Sequence, residues 1–493
     1  MIKSYRPELS HFDQPHSDLR SERGQWGRMW REEPVETAFF GVFIASLAWA
    51  PFWLGGDRLL AWGVNGVLFP ALVALYEISL ALRGRRHPFA INGVLVPVLL
   101  FLGVVLWAKA QTAVEVSAIF AHPLWGMTAE VLQQPVGGSI SLNRGETGIG
   151  LVRLLTAASV FWLSLELCRE RERVFLFLWW IVAIVAGYSI YGLVSAAVFS
   201  GRMPFFPEVI AAPVVRSAFV GRNNFATYAG MGLIVNIALI FRLYRNAMPE
   251  DDDVPLAYRA SRFLEVTGEQ GMFLIGSAIA IAVALLGSVS RGGILSTALG
   301  IFVLYSLIFS RRRRAGRERL ETMALVTIAL VACFAFFGDL IVGRISTEGF
   351  GDQSRLSLYA LTVHAILDVP LLGFGYGTFQ DVFPMYREPS FGTWELWDKA
   401  HNAYLETLLG LGVVFGTMLI GCLVWLTAMC FRGAMKRERD ATAAIVATGV
   451  AVVVGVHALV DFSVQIEGVA ITFMAVLGAG VAQSQSSRVS TSD

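Results

Sequence analysis

The sequence predicts an all-α polytopic membrane protein with about twelve transmembrane helices and one large outer loop that contains short helices. Three observations predict it. The 493-residue chain is 55% hydrophobic and only 16% charged, where a soluble protein carries about 25% charged residues. Apolar runs of about 20 residues recur along it, each long enough to cross a bilayer. The segments between alternate runs are basic, so charge sorts the loops into two sides.

Taken in order, the expected spans lie at about 36–54, 59–82, 91–109, 148–167, 174–199, 223–241, 271–289, 293–310, 320–341, 404–431, 441–460 and 464–484. With the N-terminus inside, the cytoplasmic segments hold Lys3 to Arg31, Arg83 to Arg86, Arg169 to Arg173, Arg242 to Arg262, Arg311 to Arg319, Arg432 to Arg439, and Arg488. These are most of the 39 basic residues, as the positive-inside rule requires. The organisation is then a cytoplasmic tail over 1–35, nine spans within 36–341, a large outer loop over 342–403, three spans within 404–484 and a cytoplasmic tail over 485–493. The first 35 residues are polar and hold no apolar h-region. This predicts no cleavable signal peptide, with the first span acting as its own insertion signal.

The outer connections 110–147, 200–222 and 342–403 are long, which places function on the outer face. The first begins with an apolar-periodic stretch (Val114, Ala118, Ile119, Ala121) and predicts an interfacial helix followed by a loop. Leu356, Tyr359, Val363, Ile366 and Leu367 recur at helical spacing and predict a helix over 354–369, with Asp352 as its cap. On the inner side, Glu250 to Asp253 reads as part of a solvated linker and Arg311 to Arg314 as a topology anchor.

Several function classes fall away. Net charge is +1, so no basic field suits nucleic acid. Cys168, Cys333, Cys422 and Cys430 show no metal-type spacing and no disulfide framework. No serine elbow, Walker loop or HExxH is present, and no metal or other cofactor is expected. Gly373-x-Gly375-x-Gly377 follows no strand and reads as a sharp turn, not a nucleotide loop. A secondary transporter would show an inverted repeat and paired broken spans, which the sequence does not display.

The candidate chemistry gathers at outer ends of spans. Arg222 opens one span within Gly221-Arg222-Asn223-Asn224-Phe225. Arg291 lies in a short turn, Ser288-Val-Ser290-Arg291-Gly292-Gly293. An arginine at a membrane end often only snorkels, but these two lie on the side where arginine is disfavoured and have small or polar neighbours. Paired guanidinium forks suit a diphosphate. His401, between Asp398-Lys399 and Asn402-Ala403-Tyr404, is either an interfacial hydrogen-bonding residue or a general base. An imidazole, with an ordinary pKa of about 6.5, can take a proton from a hydroxyl at neutral pH. His457 and Asp461, one helical turn apart, are either a structural tie or part of a site. Tyr386, Trp394 and Trp397 supply aromatic surface in the large loop.

Pro370-Leu-Leu-Gly-Phe-Gly-Tyr-Gly-Thr-Phe379, Phe383, Tyr386-Arg387 and Ala400-His401-Asn402-Ala-Tyr-Leu405 together resemble the bacterial O-antigen ligase/polymerase superfamily. Gly221-Arg222-Asn223-Asn224-Phe225-Ala226 and Ser290-Arg291-Gly292-Gly293 resemble its upstream motifs, and Ile140-Ser141-Leu142 and His457-x-x-x-Asp461-Phe462 add weaker matches over roughly 130–470. Gly410 stands where members often carry an acidic residue, and Asn224 where many carry histidine. The resemblance implies a GT-C-like, metal-independent glycosyltransferase of the bacterial inner membrane. Its donor would be an undecaprenyl-diphosphate-linked glycan and its acceptor a glycan or lipid A–core, used on the periplasmic side; a protein acceptor stays open. It implies that Arg222 and Arg291 contact the diphosphate and that His401 activates the acceptor hydroxyl. Asn223, Asn402, Tyr404, Arg355, Tyr386, Arg387 and Asp461 would contact substrate. The partners are then these substrates and membrane lipids.

The charge pattern yields a labelling test. A cysteine replacing Ser390 should react with an impermeant maleimide from outside the cell, and one replacing Ser310 only after permeabilisation. Labelling of Ser310→Cys in intact cells would overturn the assignment of sides.

Overall fold

The structure, a computed structural model, describes residues 33–206, 209, 214–247, 267–310, 350–391, 397–437 and 440–484, apart from the side chains of 246–247, 350–354 and 390. The expected span 320–341, the acidic run Glu250 to Asp253, Arg311 to Arg314, Cys333 and Trp394 lie outside the described residues. Among those described, the regular structure is helical and no strand is formed.

The helices are α1 (Pro34–Trp49), α2 (Leu59–Leu82), α3 (Leu95–Gln111), α4 (Pro123–Leu132), α5 (Arg144–Leu167), α6 (Arg171–Val198), α7 (Arg222–Ala247), α8 (Met272–Gly287), α9 (Arg291–Ser310), α10 (Phe350–Asp368), α11 (Phe379–Tyr386), α12 (Ala403–Lys436), α13 (Thr442–His457) and α14 (Glu467–Ser484). A 3-10 turn, Ile91–Val94, leads into α3, and a π turn, Thr267–Gly271, leads into α8. Among the described residues nine helices are long and apolar enough to cross a membrane: α2, Ile91–Gln111, α5, α6, Arg222–Arg245, Thr267–Gly287, α9, α12 and α14. Two more expected spans, Pro34–Trp49 and Thr442–His457, form apolar helices that are shorter. The protein is therefore a multi-pass membrane protein.

The core surrounds α7, α13 and α14, whose residues are mostly buried. Their sequences explain why. Lipid is as apolar as leucine, so helices associate in it through close packing of small residues. α13 and α14 are rich in Gly, Ala and Val. Where α9 crosses α13, a Cβ on Gly300 would come within 3.0 Å of the Gly449 carbonyl. α14 packs most extensively on α5, α13 on α9 and α14, and α12 on α3.

Arginines tie the end away from His401. Arg83 and Arg85 reach Glu36 at 2.6 and 2.7 Å, and Arg173 pairs with Glu33. Arg242 Nε lies 2.9 Å from Asp440 Oδ2. Arg169 donates to the Ala482 carbonyl at 2.6 Å and Arg437 to that of Gln483.

Three sequence expectations shift. The interfacial helix is α4, downstream of the apolar stretch expected to form it. His122 caps it through Nδ1, which accepts from Leu124 N at 3.3 Å, and Pro123 occupies the first turn, where its missing N–H costs nothing. Ile119, Val131 and Leu132 stay exposed, as an interfacial segment requires. α10 begins at Phe350, so Asp352 lies inside its first turn and is not its cap.

The third shift is a break in the span expected to run uninterrupted over 404–431. Gly412 leaves helical geometry with φ 77° and ψ 166°. In a bilayer, carbonyls freed by such a break must find partners inside the protein. They find them in the 370–377 loop and α3. Phe374 N and Gly375 N donate to Leu409 O and Gly410 O at 3.0 Å, and Val413 N donates to Pro370 O at 2.7 Å. Gln111 Nε2 donates to both Gly410 O and Leu372 O at 2.8 Å, and Trp107 Nε1 to Leu411 O at 2.9 Å. Gly373, Gly375 and Gly377 all have positive φ. A side chain at Gly373 would run into the Gly410 carbonyl. The glycine loop is thus a backbone splint for a broken helix.

Gly412→Ala should lower the midpoint of thermal unfolding in detergent, because alanine at this φ costs about 1–3 kcal/mol and its Cβ would meet the Leu371 carbonyl. Gly421→Ala, in the same helix with nothing within 4 Å, is the control and should be neutral or stabilising. Equal midpoints for wild type and Gly412→Ala would show that the break is dispensable.

Candidate active site at the start of α12

The site begins with how α12 starts. Asn402 is its N-cap, and Oδ1 accepts from Tyr404 N and Leu405 N at 3.1 Å. Its Nδ2 donates to Leu459 O at 3.0 Å, Ala403 N donates to Ala458 O at 2.9 Å, and the Tyr404 hydroxyl donates to Gly455 O at 2.8 Å. The helix start is therefore stitched to the end of α13. His401, one residue before the cap, has φ 52°. A non-glycine residue held there costs on the order of 1–3 kcal/mol and persists only when its surroundings fix it. Here Tyr359 donates to the His401 carbonyl at 2.8 Å. The imidazole packs edge-on to Phe462 and Trp397, with centroids 5.1 and 6.2 Å away.

His401 keeps 25% of its side chain exposed. Its Nδ1 lies 3.8 Å from Asp461 Oδ1, too far for a hydrogen bond and near enough for strong electrostatic contact. Asp461 is 1% exposed. Its Oδ1 accepts from Asn223 Nδ2 at 3.1 Å, and Oδ2 accepts from the Ser463 hydroxyl. Burial pushes the Asp461 carboxyl up. His401, the charge of His457, and the bonds from Ser463 and Asn223 more than offset this, so it lies below the usual range.

Asn223 carries the network onward. Its Oδ1 accepts from the Ser290 hydroxyl at 2.8 Å, and Ser290 Oγ accepts from Gly293 N at 3.2 Å. Asn223 is the second residue of α7, and Ser290 immediately precedes α9. The first turns of both helices, which carry Arg222 and Arg291, are thereby joined to each other and to Asp461. His457 bonds Thr227 through Nδ1. A Cβ on Gly292 would lie 2.9 Å from its ring, so glycine there leaves room for the imidazole. Arg222 is half-buried and Arg291 exposed. Arg355, near the start of α10, interacts electrostatically with His457.

The structure thus gathers His401, Asn402, Tyr404, Asp461 and Asn223 with the helix starts bearing Arg222 and Arg291, and brings Arg355 to their edge. Tyr386 and Arg387 form bonds outside this network. The Tyr386 hydroxyl donates to Asp368 Oδ2 at 2.9 Å, at the far end of α10, and Arg387 Nη2 donates to Phe391 O at 3.1 Å. Burial first, and then the Asp368 carboxylate, push the Tyr386 phenol up to about 12. Among the described residues no group of three or more His, Cys, Asp or Glu is arranged to hold a metal ion.

Sequence reasoning passed over Ser463, Thr227 and Tyr359, which support the site. It also passed over Arg153, Glu406 and Glu467, charged residues inside or at the start of spans. Their placement within apolar runs was itself the signal.

Asp461→Ala should lower thermal stability by about 1–3 kcal/mol, since Asn223 Nδ2 and the Ser463 hydroxyl lose a buried acceptor. Asp461→Asn should retain much of it. Unfolding of both variants in detergent checks this, and a wild-type midpoint for Asp461→Ala would remove the carboxylate as the organising acceptor.

No curated protein matches the chain. A family comparison does match part of it, from within α8 to within α12, a stretch that includes Arg291, Arg355 and His401 but neither Arg222 nor Asp461. Residues 276–421 match the family model described as O-Antigen ligase, and the chain therefore carries an O-antigen ligase family domain there.

Proposed function

We propose that the protein is a glycosyltransferase that moves a glycan from undecaprenyl diphosphate to an acceptor hydroxyl at the His401 end of the bundle, in polymerisation of a surface polysaccharide. The observation that carries this is the chain His401–Asp461–Asn223–Ser290. It couples an accessible imidazole to two helix N-termini, each opened by an arginine. Helix N-termini and guanidinium forks both favour phosphate oxygens. Unit charges about 4 Å apart at an effective dielectric of about 20 interact by roughly 4 kcal/mol, so two arginines would do much to stabilise a diphosphate leaving group. In this reading the bilayer is crossed about twelve times, both termini face the cytoplasm of a bacterial inner membrane, and the His401 end faces the periplasm.

The geometry supports one course for the reaction. Asp461 orients the imidazole with Nδ1–H towards its carboxylate, which leaves Nε2 as base. The acceptor hydroxyl loses its proton to Nε2 as its oxygen bonds to the anomeric carbon. The bond from that carbon to the diphosphate oxygen breaks, and undecaprenyl diphosphate leaves on Arg222 and Arg291. Asn402 and Tyr404 fix the strap that carries His401. Arg355 adds positive charge at the edge. Tyr386 and Arg387, whose bonds go to Asp368 and to the Phe391 carbonyl, would meet the extended glycan rather than the reacting atoms. A ligase reading, with transfer to lipid A–core, is favoured by the name of the matched family. A deletion strain separates the two readings. Single repeat units on the lipid carrier indicate a lost polymerase, and long chains on the carrier a lost ligase.

His401→Ala should insert normally and bind lipid-linked donor, while transfer falls by about 10²–10⁴-fold, the usual share of a positioned base. Arg222→Lys and Arg291→Lys keep the charge but lose the fork, and should weaken donor binding and turnover together. Donor binding and transfer measured on purified variants decide the matter. Transfer by His401→Ala within a few-fold of wild type would remove it from the mechanism.

A further inference from the structure

The segment 399–406 has two faces. One presents His401 to Asp461. The other, through Lys399, Ala403, Tyr404 and Glu406, closes a cavity of about 860 Å³. Its walls include α5 from Glu146 to Trp162, α12 from Ala403 to Phe431, and the first part of α14. The α5 stretch alone is about 24 Å long at about 1.5 Å per residue, most of a hydrocarbon layer about 30 Å thick. Leu154, Leu419, Leu423, Phe431 and Met474 make the lower walls apolar. The hydroxyls there, Thr156, Ser159, Thr427 and Thr448, are spent on carbonyls of their own helices.

Charge is confined to the His401 end. Glu467 is 2% exposed and lines the cavity. Its Oε2 accepts from Asn65 Nδ2 at 2.6 Å, and its Oε1 has no hydrogen-bond partner. Arg153 lies over the Trp62 ring at 4.6 Å and donates to the Gln465 carbonyl, with Nε left unpartnered. A buried carboxylate oxygen without a donor is costly in apolar surroundings, so this rim is suited to a ligand that donates hydrogen bonds. Three carboxylates (Glu146, Glu406, Glu467) against two cations (Arg153, Lys399) do not suit a diphosphate. They do suit sugar hydroxyls, which donate to carboxylates, and the Trp62 and Tyr376 rings offer surface for a sugar face.

We propose that this cavity is a second lipid site, which holds the hydrocarbon chain of a membrane-anchored glycan and presents its sugar end at the rim beside Glu467 and Glu406. That this ligand is the acceptor rests on the transferase reading; the binding itself does not. The sugar end of this ligand then lies at the 399–406 strap, the segment that carries His401.

The full-length protein in nanodiscs tests this with a trace of dodecyl maltoside that carries a diazirine in its alkyl chain. Photolysis should label peptides of α5 and α12 above other membrane-facing helices, and excess unlabelled dodecyl maltoside should suppress the labelling. Ala157→Trp, which fills the middle of the cavity, should abolish it. Glu467→Gln should weaken retention by about tenfold, as expected for loss of a charge-assisted hydrogen bond. Suppression by farnesyl diphosphate as effective as by the glycoside would assign the cavity to the donor and overturn the proposal. Equal suppression by phosphatidylglycerol, or labelling unchanged in Ala157→Trp, would reduce it to bulk lipid and overturn it too. Labelling needs no turnover. A protein that labels as expected but transfers no glycan upholds the site and defeats the transferase reading, and the converse result does the reverse.

Discussion

The carboxylate of Asp461 is the group on which the site depends. It is buried at the end of a membrane bundle, where an unpartnered charge is costly, and it settles that cost by recruiting donors from elsewhere in the chain. Asn223 comes from α7, Ser463 from its own loop, and His401 stands by from the start of α12. Each donor brings a chemically useful neighbour. Asn223 fixes the turn that bears Arg222, and through Ser290 the turn that bears Arg291. The half-buried strap around His401 is anchored on the other side by Asn402 and Tyr404, which bond to carbonyls of 455–459. One buried acid thus sets the relative positions of three helix ends.

The break at Gly412 plays a complementary part. A straight α12 would need no help from the 370–377 loop. The broken one exposes carbonyls that this loop, Gln111 and Trp107 satisfy. That requirement fastens the segment after α10 to the bundle. It also holds the aromatic cluster of Phe379, Phe383, Phe391 and Trp397 against the wall behind His401. Backbone hydrogen bonding and aromatic packing therefore serve one end, which is to hold a strained histidine at a fixed place.

Much of this was legible in the sequence because it follows from composition and period. Apolar length marked the helices, with α1 and α13 shorter than a full span. Sidedness singled out Arg222, Arg291 and His401, and helical spacing paired His457 with Asp461. Spacing could not show that Asp461 reaches Asn223, because that contact joins residues 238 apart. Nor could it show the break at Gly412, since a glycine inside an apolar run reads the same whether helical or not. The interfacial helix slipped downstream because Pro123 and the His122 cap outweighed apolar period. Tyr386 and Arg387 were grouped with His401 by the resemblance, which could not show that their bonds go to Asp368 and Phe391 and not to the Asp461 network.

The contact between Asn223 and Asp461 also sets an order of assembly. Its two halves are separated by 238 residues, which a ribosome adds in roughly 12–48 s at about 5–20 residues per second. During that interval α7, α9 and the strap of His401 enter the bilayer in turn, but the acid that organises them has not been made. The nascent chain is therefore a membrane protein before it is a site. α13 and α14, made after the strap, are with α7 the most deeply enclosed of the described helices, so the helices already inserted must leave room for them. The network closes only once Asp461 has been made, and a product terminated before it would lack the acceptor that joins the starts of α7 and α9 to the strap of His401.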